Sequence, residues 1–534
     1  MRKRIIKLLA LNLALLFFAA CGAPGQSAAP TAPTFAMTPS ETPIAIPTPT
    51  FTPAPQLFAP PQAFEPNKFP RDVNPLSAQV VKDPALLKMP ALLISISHFP
   101  PSARPQAGLS FAPWVFEFSI TEGMTRFLGA FYGAFPEPEI PITGGCEIRK
   151  GVFIQTGDVI GNRVWLDEDQ NGRQESYERG VGGACIHLYR DGQLVDSTTT
   201  DSNGYYGFNV APANYSIGFA LPEWLQFTNQ NIGDESNDSD ANPLDGRINA
   251  NARGTRLDFD AGLILRAGLI PTPDESARLP NAAVGPIRSG RLLYGDIADF
   301  FPNSCLIYAF ASPEVLAKIP QCAMVAHDDA EGGRTLPLEQ MKAIADENMQ
   351  KTPGKFNYAS NAFSGEVPQG GAPAKQINVY VSIINQSGWT YDPLYGAWLR
   401  FVDNADRAAA GQLHAEIDRL TGRQLHFENF MVIFAEHDVI SPTNLDIHLE
   451  HGSEGFAFLF RDGMKYDIRW STKSTEYEKS TRTLQPIRFL NPDGSPAALK
   501  PGSTWIFVAS PYSIISDEGG GTWKLRYIPP EGSR

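Results

Sequence analysis

Residues 167–178 read Asp167-Glu-Asp-Gln-Asn-Gly-Arg-Gln-Glu-Ser-Tyr-Glu178, a spacing of D-x-D-x-N-G-x-x-E-x-x-E. This is the oxygen pattern of a twelve-position calcium loop, with glycine where the chain must turn sharply. Hard oxygen donors, several of them charged, favour calcium over zinc or copper. The predicted ligands are Asp167, Asp169, Asn171, the backbone carbonyl of Arg173, Glu175 and Glu178. A solvated acidic turn is the alternative interpretation.

The segments on either side of this loop alternate like β-strands and not like the helices of a helix–loop–helix unit. Residues 157–165 precede the loop and residues 180–189 follow it, and both show strand-like patterning. A calcium loop between strands is typical of a β-sandwich. A second acidic loop at 234–243 contains Asp238 and Asp240, whose oxygens are candidates for another cation; the alternative is again a solvated turn.

The length and composition of the whole chain limit the number of domains and the class of protein that it can be. Its 534 residues are enough for roughly two to four domains. A net charge of −13 and a pI near 5.2 argue against a general nucleic-acid binder.

The first 61 residues predict a leader and a tether. A basic start and the apolar stretch Leu8–Phe18 end in Phe18-Ala-Ala-Cys21, which resembles the lipobox of bacterial lipoproteins. This resemblance implies a signal peptide over 1–21 and a lipid on Cys21 that holds the protein on the extracytoplasmic face of the cell membrane. An ordinary signal peptide is the alternative. Residues 22–61 are rich in Pro, Thr, Ala and Ser, which predicts a tether without a core.

The four remaining cysteines are expected to lie in an oxidising compartment. Cys305 with Cys322 is the favoured disulfide because the loop between them is short. Cys146 with Cys185 is the second candidate pair, and free buried thiols remain an alternative.

The rest of the chain reads as strands with a few helices. Short apolar runs predict strands at 91–97, 116–121, 125–132 and 304–310, and further strands from residue 377 onward. Helices are expected at 313–319, with Ser312 as its cap, and around 338–345.

Two resemblances organise these elements. Ile160-Gly-Asn-x-Val-Trp165, the calcium loop, Thr200-Asp-x-Asn-Gly-x-Tyr-x-Phe208 and Asp238-Ser-Asp240 resemble the SdrD B-like repeats of bacterial surface proteins. This resemblance implies an Ig-like sandwich, related to collagen-adhesin B domains, that is stiffened by calcium and acts as a stalk or spacer.

The flanking parts resemble the YerB-like bacterial lipoproteins, a family of unknown activity. The resemblance is carried by Ala103-Arg-Pro-Gln-x-Gly-Leu-Ser110, Glu122-Gly-x-Thr-Arg-Phe-Leu128, Gly285-Pro-Ile-Arg-Ser-x-Arg291 and Leu499-x-Pro-Gly-x-Thr-Trp-Ile506. In that family the second and third motifs lie close in sequence, so the sandwich is expected to be an insertion. The implied fold is a discontinuous α+β host domain (69–139 and 280–372) with an Ig-like insert (151–265) and a β-rich C-terminal domain (373–534).

Four arginines of the host are candidates for ligand binding: Arg104, Arg126, Arg288 and Arg291. Guanidinium groups presented together can clamp carboxylate or phosphate in a bidentate manner. In a cell envelope this chemistry fits an anionic wall polymer or an envelope protein. Internal pairing with Glu117, Glu122 and Asp296 is the alternative.

Catalytic patterns are sparse. His448 and His451 are three apart in a β pattern, which points them to opposite faces. The chain has no G-x-S-x-G and no phosphate-binding glycine motif. The first hypothesis is therefore a lipid-anchored, non-enzymatic binding or structural protein with a calcium-stabilised spacer. The alternative is an enzyme acting on a cell-wall polymer, with an arginine-lined cleft.

Overall fold

The computed structural model describes residues 63–137, 158–201, 203–222, 225–266, 282–325, 334–393, 396–441 and 444–533. Among these residues, no helix combines the length and apolar character needed to cross a membrane. The predicted leader, the tether, Cys21 and Cys146 lie outside the described residues.

The described chain is strand-rich, as its short apolar runs predicted. The strands before the calcium loop are β1 Ala63–Phe64, β2 Val73–Asn74, β3 Gln79–Val80, β4 Leu92–Ile96, β5 Trp114–Ser119 and β6 Thr125–Phe131. The strands of the segment that contains the loop are β7 Asp158–Leu166, β8 Cys185–Arg190, β9 Gln193–Thr199, β10 Tyr205–Val210, β11 Ala213–Ala220, β12 Leu225–Phe227, β13 Arg247–Ala252 and β14 Ala261–Leu265.

The region after this segment contains the helices and the remaining strands. The helices are α1 Leu293–Phe300, α2 Pro313–Leu316, α3 Leu338–Lys351 and α4 Glu476–Thr481. The strands are β15 Ala283–Val284, β16 Cys305–Tyr308, β17 Ala323–Met324, β18 Leu336–Pro337, β19 Phe363–Ser364, β20 Ala372–Pro373, β21 Gln376–Ser382, β22 Asn385–Asp392, β23 Ala397–Asp403, β24 Leu413–Ala415, β25 His426–Phe427, β26 Asn429–Phe434, β27 His437–Ser441, β28 Asn444–Ile447, β29 Glu454–Arg461, β30 Met464–Ser471, β31 Arg488–Leu490, β32 Thr504–Ala509, β33 Ile514–Gly519 and β34 Thr522–Arg526.

One eleven-stranded sheet joins the regions on both sides of the calcium-loop segment. Its strand order is β17-β16-β4-β6-β5-β32-β26-β29-β30-β20, with β31 paired to β30. The two sequence regions meet at two places in this sheet. β16 runs parallel to β4, and β5 runs parallel to β32 with Val115 opposite Trp505. β5 and β32 are buried along their whole length, which explains why both are mostly apolar and do not alternate between apolar and polar residues.

The two faces of the large sheet are covered by different layers. On one face, Phe116, Leu128 and Ile506 pack with Tyr294 and Ile297 of α1. On the other face, alternate residues of the same strands pack against a seven-stranded sheet of order β24-β23-β22-β21-β34-β33, to which β25 adds through β23. The sheet is thus the central layer of the region outside the calcium-loop segment.

The calcium-loop segment folds as two four-stranded sheets. Their orders are β10-β7-β14-β12 and β13-β11-β8-β9. Ile160, Val164, Ile186, Ile217 and Leu263 are among the residues that fill the space between them. This is the predicted β-sandwich, with its own core.

Details of the helices and cysteines test the local predictions. The helix expected around 338–345 is α3, and the Cys305–Cys322 disulfide is present. Ser312 is the N-cap residue of α2, as predicted, but its hydroxyl makes no capping hydrogen bond.

Candidate metal centre

The predicted calcium loop begins directly after β7 and turns back on itself. Gly172 adopts φ +81°, and a Cβ there would lie 3.1 Å from the Ile232 side chain. The backbone N–H groups of Asn171 and Gly172 donate to the Asp167 carboxylate at 3.1 and 2.9 Å. The glycine therefore serves the tight turn that the motif requires.

Three carboxylates converge inside this turn. Asp167, Asp169 and Glu178 each place an oxygen within 4.8 Å of the others'. Asp167 and Glu178 are buried, at 2% and 1% exposure, whereas Asp169 is exposed. Among the described residues, no lysine or arginine forms an ion pair with any of the three. Like charges held this close require a compensating cation or a proton.

The Glu178 side chain connects the beginning of the loop to its last turn. Its two carboxylate oxygens accept hydrogen bonds from the backbone N–H groups of Glu168, at 2.9 Å, and Glu175, at 3.2 Å. Burial raises the pKa of Glu178 to about 8, and the charges of Glu175 and Asp167 contribute to this rise. A divalent cation at this position would offset the penalty of burying an ionised carboxylate.

The other predicted ligands lie on the same loop but outside this close group. Asn171 donates from its side-chain amide to Asp169 at 2.9 Å and to Glu175 at 3.0 Å. Its side-chain oxygen accepts from the Arg173 N–H at 2.7 Å. The second carboxylate oxygen of Glu175 is buried without a hydrogen-bond partner. The arrangement can therefore hold one cation between the three carboxylates, with the oxygens of Asn171 and Glu175 nearby.

The second acidic loop lies against the first without joining its carboxylate group. Asp238 forms a backbone bridge with Arg173, and one of its carboxylate oxygens is buried without a hydrogen-bond partner. Asp240 accepts from the N–H of Asp260 at 2.7 Å. Burial raises the pKa of Asp240 to about 7 and raises that of Asp260 as well. Sequence reasoning missed Asp260, although an acid next to the apolar run of β14 was a usable signal.

The four candidate arginines do not form one site. Arg104 lies 3.5 Å from the Asp403 carboxylate, and its Nε donates to the His98 carbonyl at 2.9 Å. It thus joins two parts of the fold. Arg126 and Arg291 instead donate to the carbonyls of consecutive residues, Ser289 at 3.4 Å and Gly290 at 3.0 Å.

Arg126 is buried beside other cations. Burial lowers its pKa to about 9, and the charges of Arg291 and Arg288 contribute to this lowering. The alternative partners are engaged elsewhere: Glu117 pairs with Arg400 at 3.2 Å, and the Asp296 carboxylate accepts from the Leu449 N–H at 3.0 Å. Arg126, Arg288 and Arg291 therefore form a cationic group, from which Arg104 is separate.

Sequence reasoning missed the buried network around Arg400. This fully buried guanidinium contacts Glu117 and Glu416 and lies over the ring of Trp505, 4.3 Å from its centroid. The indole of Trp505 donates to Glu117 at 3.0 Å. A buried cation with two carboxylates fixes the seven-stranded sheet to the large one.

The paired histidines have separate partners. His448 lies 3.0 Å from an Asp438 oxygen and 3.3 Å from a Glu450 oxygen, whereas His451 contacts the Ser474 hydroxyl at 2.8 Å. The two rings therefore do not meet in one metal site.

Comparisons with known proteins match two parts of the chain. Residues 158–263 match the SdrD B-like domain model. Residues 377–506 match the C-terminal domain of a protein of unknown function, DUF3048.

Curated relatives match the first of these parts. Serine-aspartate repeat-containing protein C of Staphylococcus aureus is 33% identical over 91 residues, which are 17% of this chain and 10% of that protein. Serine-aspartate repeat-containing protein F of Staphylococcus epidermidis is 36% identical over 103 residues, or 19% of this chain and 6% of that protein. The chain thus spans a tenth or less of these relatives' length.

A solved structure matches a larger share. The YerB protein of Bacillus subtilis covers 82% of this chain and 96% of its own, with a TM-score of 0.43 and 15% identity. The two resemblances stated from the sequence are confirmed: the chain is similar to the YerB protein, and it carries an SdrD B-like domain at 158–263 and a DUF3048 C-terminal domain at 377–506.

Proposed function

We propose that this chain is a non-enzymatic protein of the bacterial cell envelope, in which a calcium-stabilised Ig-like domain serves as a structural module. In this proposal, lipid on Cys21 anchors the protein to the extracytoplasmic face of the membrane, and residues 22–61 act as the tether. The serine-aspartate repeat proteins that share the domain support a role at the cell surface.

One observation carries the calcium assignment. Asp167, Asp169 and Glu178 converge within 4.8 Å around a left-handed glycine turn, and two of these three carboxylates are buried. An isolated buried carboxylate is costly, and three in contact are costlier, unless a cation joins them. An all-oxygen donor set with three negative charges suits Ca²⁺ and disfavours softer metals. Asn171 and Glu175 would supply further oxygens.

Calorimetric titration tests this assignment. Calcium-depleted full-length protein should bind Ca²⁺ with a dissociation constant between about 10⁻⁷ and 10⁻³ M, the range of comparable oxygen sites outside the tight buffers. Glu178→Gln should weaken binding at least tenfold, because it removes a charge from the centre of the carboxylate group. Asp191→Asn is the matched control, since Asp191 lies on an exposed hairpin turn of the same domain. Equal affinity in both variants, or no heat from the unmodified protein, contradicts the assignment.

The proposal also makes the sandwich an insertion into a discontinuous host. The described chain leaves the host after Phe135 and returns at Ala282, and both residues contact the first turns of α3. Lys342 lies 5.7 Å from the centroid of the Phe135 ring, and Leu338 donates to the Ala282 carbonyl at 3.0 Å. Neighbouring exit and return points are what an inserted domain needs. The host is then α+β, with the strands of both flanks in one sheet.

The arginine group supports a role in binding anions. Arg126 and Arg291 meet at consecutive carbonyls, and the Nε groups of both are buried without hydrogen-bond partners. A carboxylate or phosphate of a wall polymer or of an envelope protein would satisfy such donors.

Sedimentation with purified cell wall tests this part of the proposal. The protein should co-sediment without releasing soluble fragments, and Arg291→Gln should lower the bound fraction at least threefold. Arg253→Gln, at an exposed site in the sandwich, is the control. Release of soluble fragments would instead support the alternative, an enzyme with an arginine-lined cleft.

A further inference from the structure

The calcium loop also touches the region outside its own domain. Glu168 forms an ion pair with Lys82, and the Ser176 hydroxyl donates to the Val80 carbonyl at 3.1 Å. Val80 is the last residue of β3 in the flanking fold, and Lys82 lies two positions after it. Two residues of one twelve-residue loop thus contact a single short segment of the neighbouring region.

These contact residues alternate with the candidate ligands. Glu168 lies between Asp167 and Asp169, and Ser176 follows Glu175. The Glu178 carboxylate holds the backbone at both places, because it accepts from the N–H of Glu168 and from the N–H of Glu175. The atoms that would bind the cation therefore also position the two residues that contact the flanking region.

A second contact point is connected to the same loop. Asn203 accepts from Arg423 at 3.1 Å and lies 3.4 Å from a ring nitrogen of His426, both on the flanking side. Arg163 links this turn to the loop, since it donates to the Asn203 carbonyl at 3.3 Å and to the Glu178 carbonyl at 3.0 Å. Both contact points are thus connected to Glu178 by hydrogen bonds.

A cleft lies between the two regions, and polar and apolar atoms line it in similar measure. A cavity of about 360 Å³ is lined by Glu168, Tyr177, Glu178 and Tyr205 from the sandwich and by Lys82 and Glu428, among others, from the flanking fold. Interfaces of this kind hold domains together weakly, so their geometry depends on a few contacts. A change in the loop is then enough to change the docking.

We infer that the calcium loop is the docking surface of the SdrD B-like domain on the flanking fold, and that the bound cation holds this surface in its docking shape. This inference rests on the proposed calcium site. Without the cation, the three carboxylates repel one another, the loop relaxes, and Glu168 and Ser176 leave their partners. Coupling between two binding events is reciprocal, so docking must also strengthen calcium binding.

Zero-length cross-linking of the full-length protein tests the docking directly. Carbodiimide joins a lysine to a carboxylate only when the two are in contact, and Lys82 with Glu168 is such a pair. With Ca²⁺ present, the Lys82–Glu168 cross-linked peptide should be at least fivefold more abundant than in calcium-depleted protein. Lys473 with Glu454, a partly exposed pair 2.8 Å apart within the flanking fold, is the matched control and should not change.

Calorimetry on variants from outside the metal loop tests the reciprocal effect. Lys82→Ala and Arg423→Ala remove docking contacts without touching a candidate ligand, and each should weaken calcium binding threefold or more. Lys473→Ala should leave the affinity unchanged. Equal cross-link yields with and without Ca²⁺, or unchanged affinities in both docking variants, overturn the inference while the calcium site stands. Absence of calcium binding by the unmodified protein overturns both.

Discussion

Calcium removal should destabilise the SdrD B-like domain far more than the fold that surrounds it. The ligands bind the cation only when residues 167–178 are folded, so the ion stabilises the native state by RT ln(1 + [L]/Kd). At a free Ca²⁺ concentration a hundredfold above Kd, this stabilisation is about 2.7 kcal/mol. For a domain of the length of residues 158–263, each kcal/mol corresponds to about 4–5 °C in Tm. We therefore expect chelation to lower the transition of this domain by about 10 °C.

Differential scanning calorimetry of the full-length protein measures this shift, and hydrogen exchange with mass spectrometry locates it. Exchange should accelerate in peptides from residues 158–263 and much less in peptides from the large sheet. Asp169→Asn should melt like the chelated protein in the presence of Ca²⁺, because it removes one of the three converging charges. Asp191→Asn should melt like the unmodified protein.

Two results would refute this reasoning. Superimposable melting curves with Ca²⁺ and with chelator would mean that the acidic loop is a solvated turn. An equal stabilisation by Mg²⁺ would mean that a divalent cation only screens the charges of the carboxylates and that the loop is not a calcium-selective site. Mg²⁺ requires tighter octahedral coordination than Ca²⁺ and gives up its bound water reluctantly.

Three further predictions concern the rest of the fold. Arg400→Met leaves Glu117 and Glu416 buried without their cation and should lower the free energy of unfolding in urea by about 3–5 kcal/mol; replacing both glutamates by glutamine in the same protein should restore part of it. Burial lowers the pKa of His437 to about 4, so its protonation favours the unfolded chain, and its contribution to stability is full above pH 6.5 and is lost as pH falls towards 4. Between pH 7 and pH 5 this loss is roughly 2 kcal/mol, and His437→Gln should remove that part of the pH dependence of unfolding. Replacing residues 138–281 by a Gly/Ser linker should leave a soluble protein with a single calorimetric transition, and two separate transitions would contradict the insertion.

Local features of this fold were predictable because their causes are local. The tight turn of the acidic loop at 167–178 follows from oxygen spacing and a single glycine, and strands such as β4 and β6 follow from short apolar runs. The Cys305–Cys322 disulfide follows from a short loop between two cysteines. In each of these cases the residues that decide the structure are neighbours in sequence.

Long-range pairings were not predictable from single strands. β5 and β32 are buried along their whole length and are mostly apolar, so their patterns do not identify a partner or a register. The pair Glu117 and Arg400 is separated by 283 positions, and each residue alone reads as an ordinary surface charge. The packing of the seven-stranded sheet against the large sheet buries both residues and makes them partners. For the same reason the internal pairing considered for Glu117 with the four candidate arginines went to a different arginine.

The loop at 167–178 is proposed both to bind the cation and to contact the flanking fold. These two roles are compatible because of the geometry of loops that close around a cation. Such a loop turns alternate side chains inward to the ion, and the residues between them must face outward. On a free repeat these outward residues meet water, but in a domain inserted through two nearby chain ends they face the fold that carries it. Glu168 and Ser176 occupy outward positions of this kind and contact Val80 and Lys82. Under the proposed function, the calcium-sensitive surface of the inserted domain lies against the host, and metal binding and docking are therefore expected to be linked.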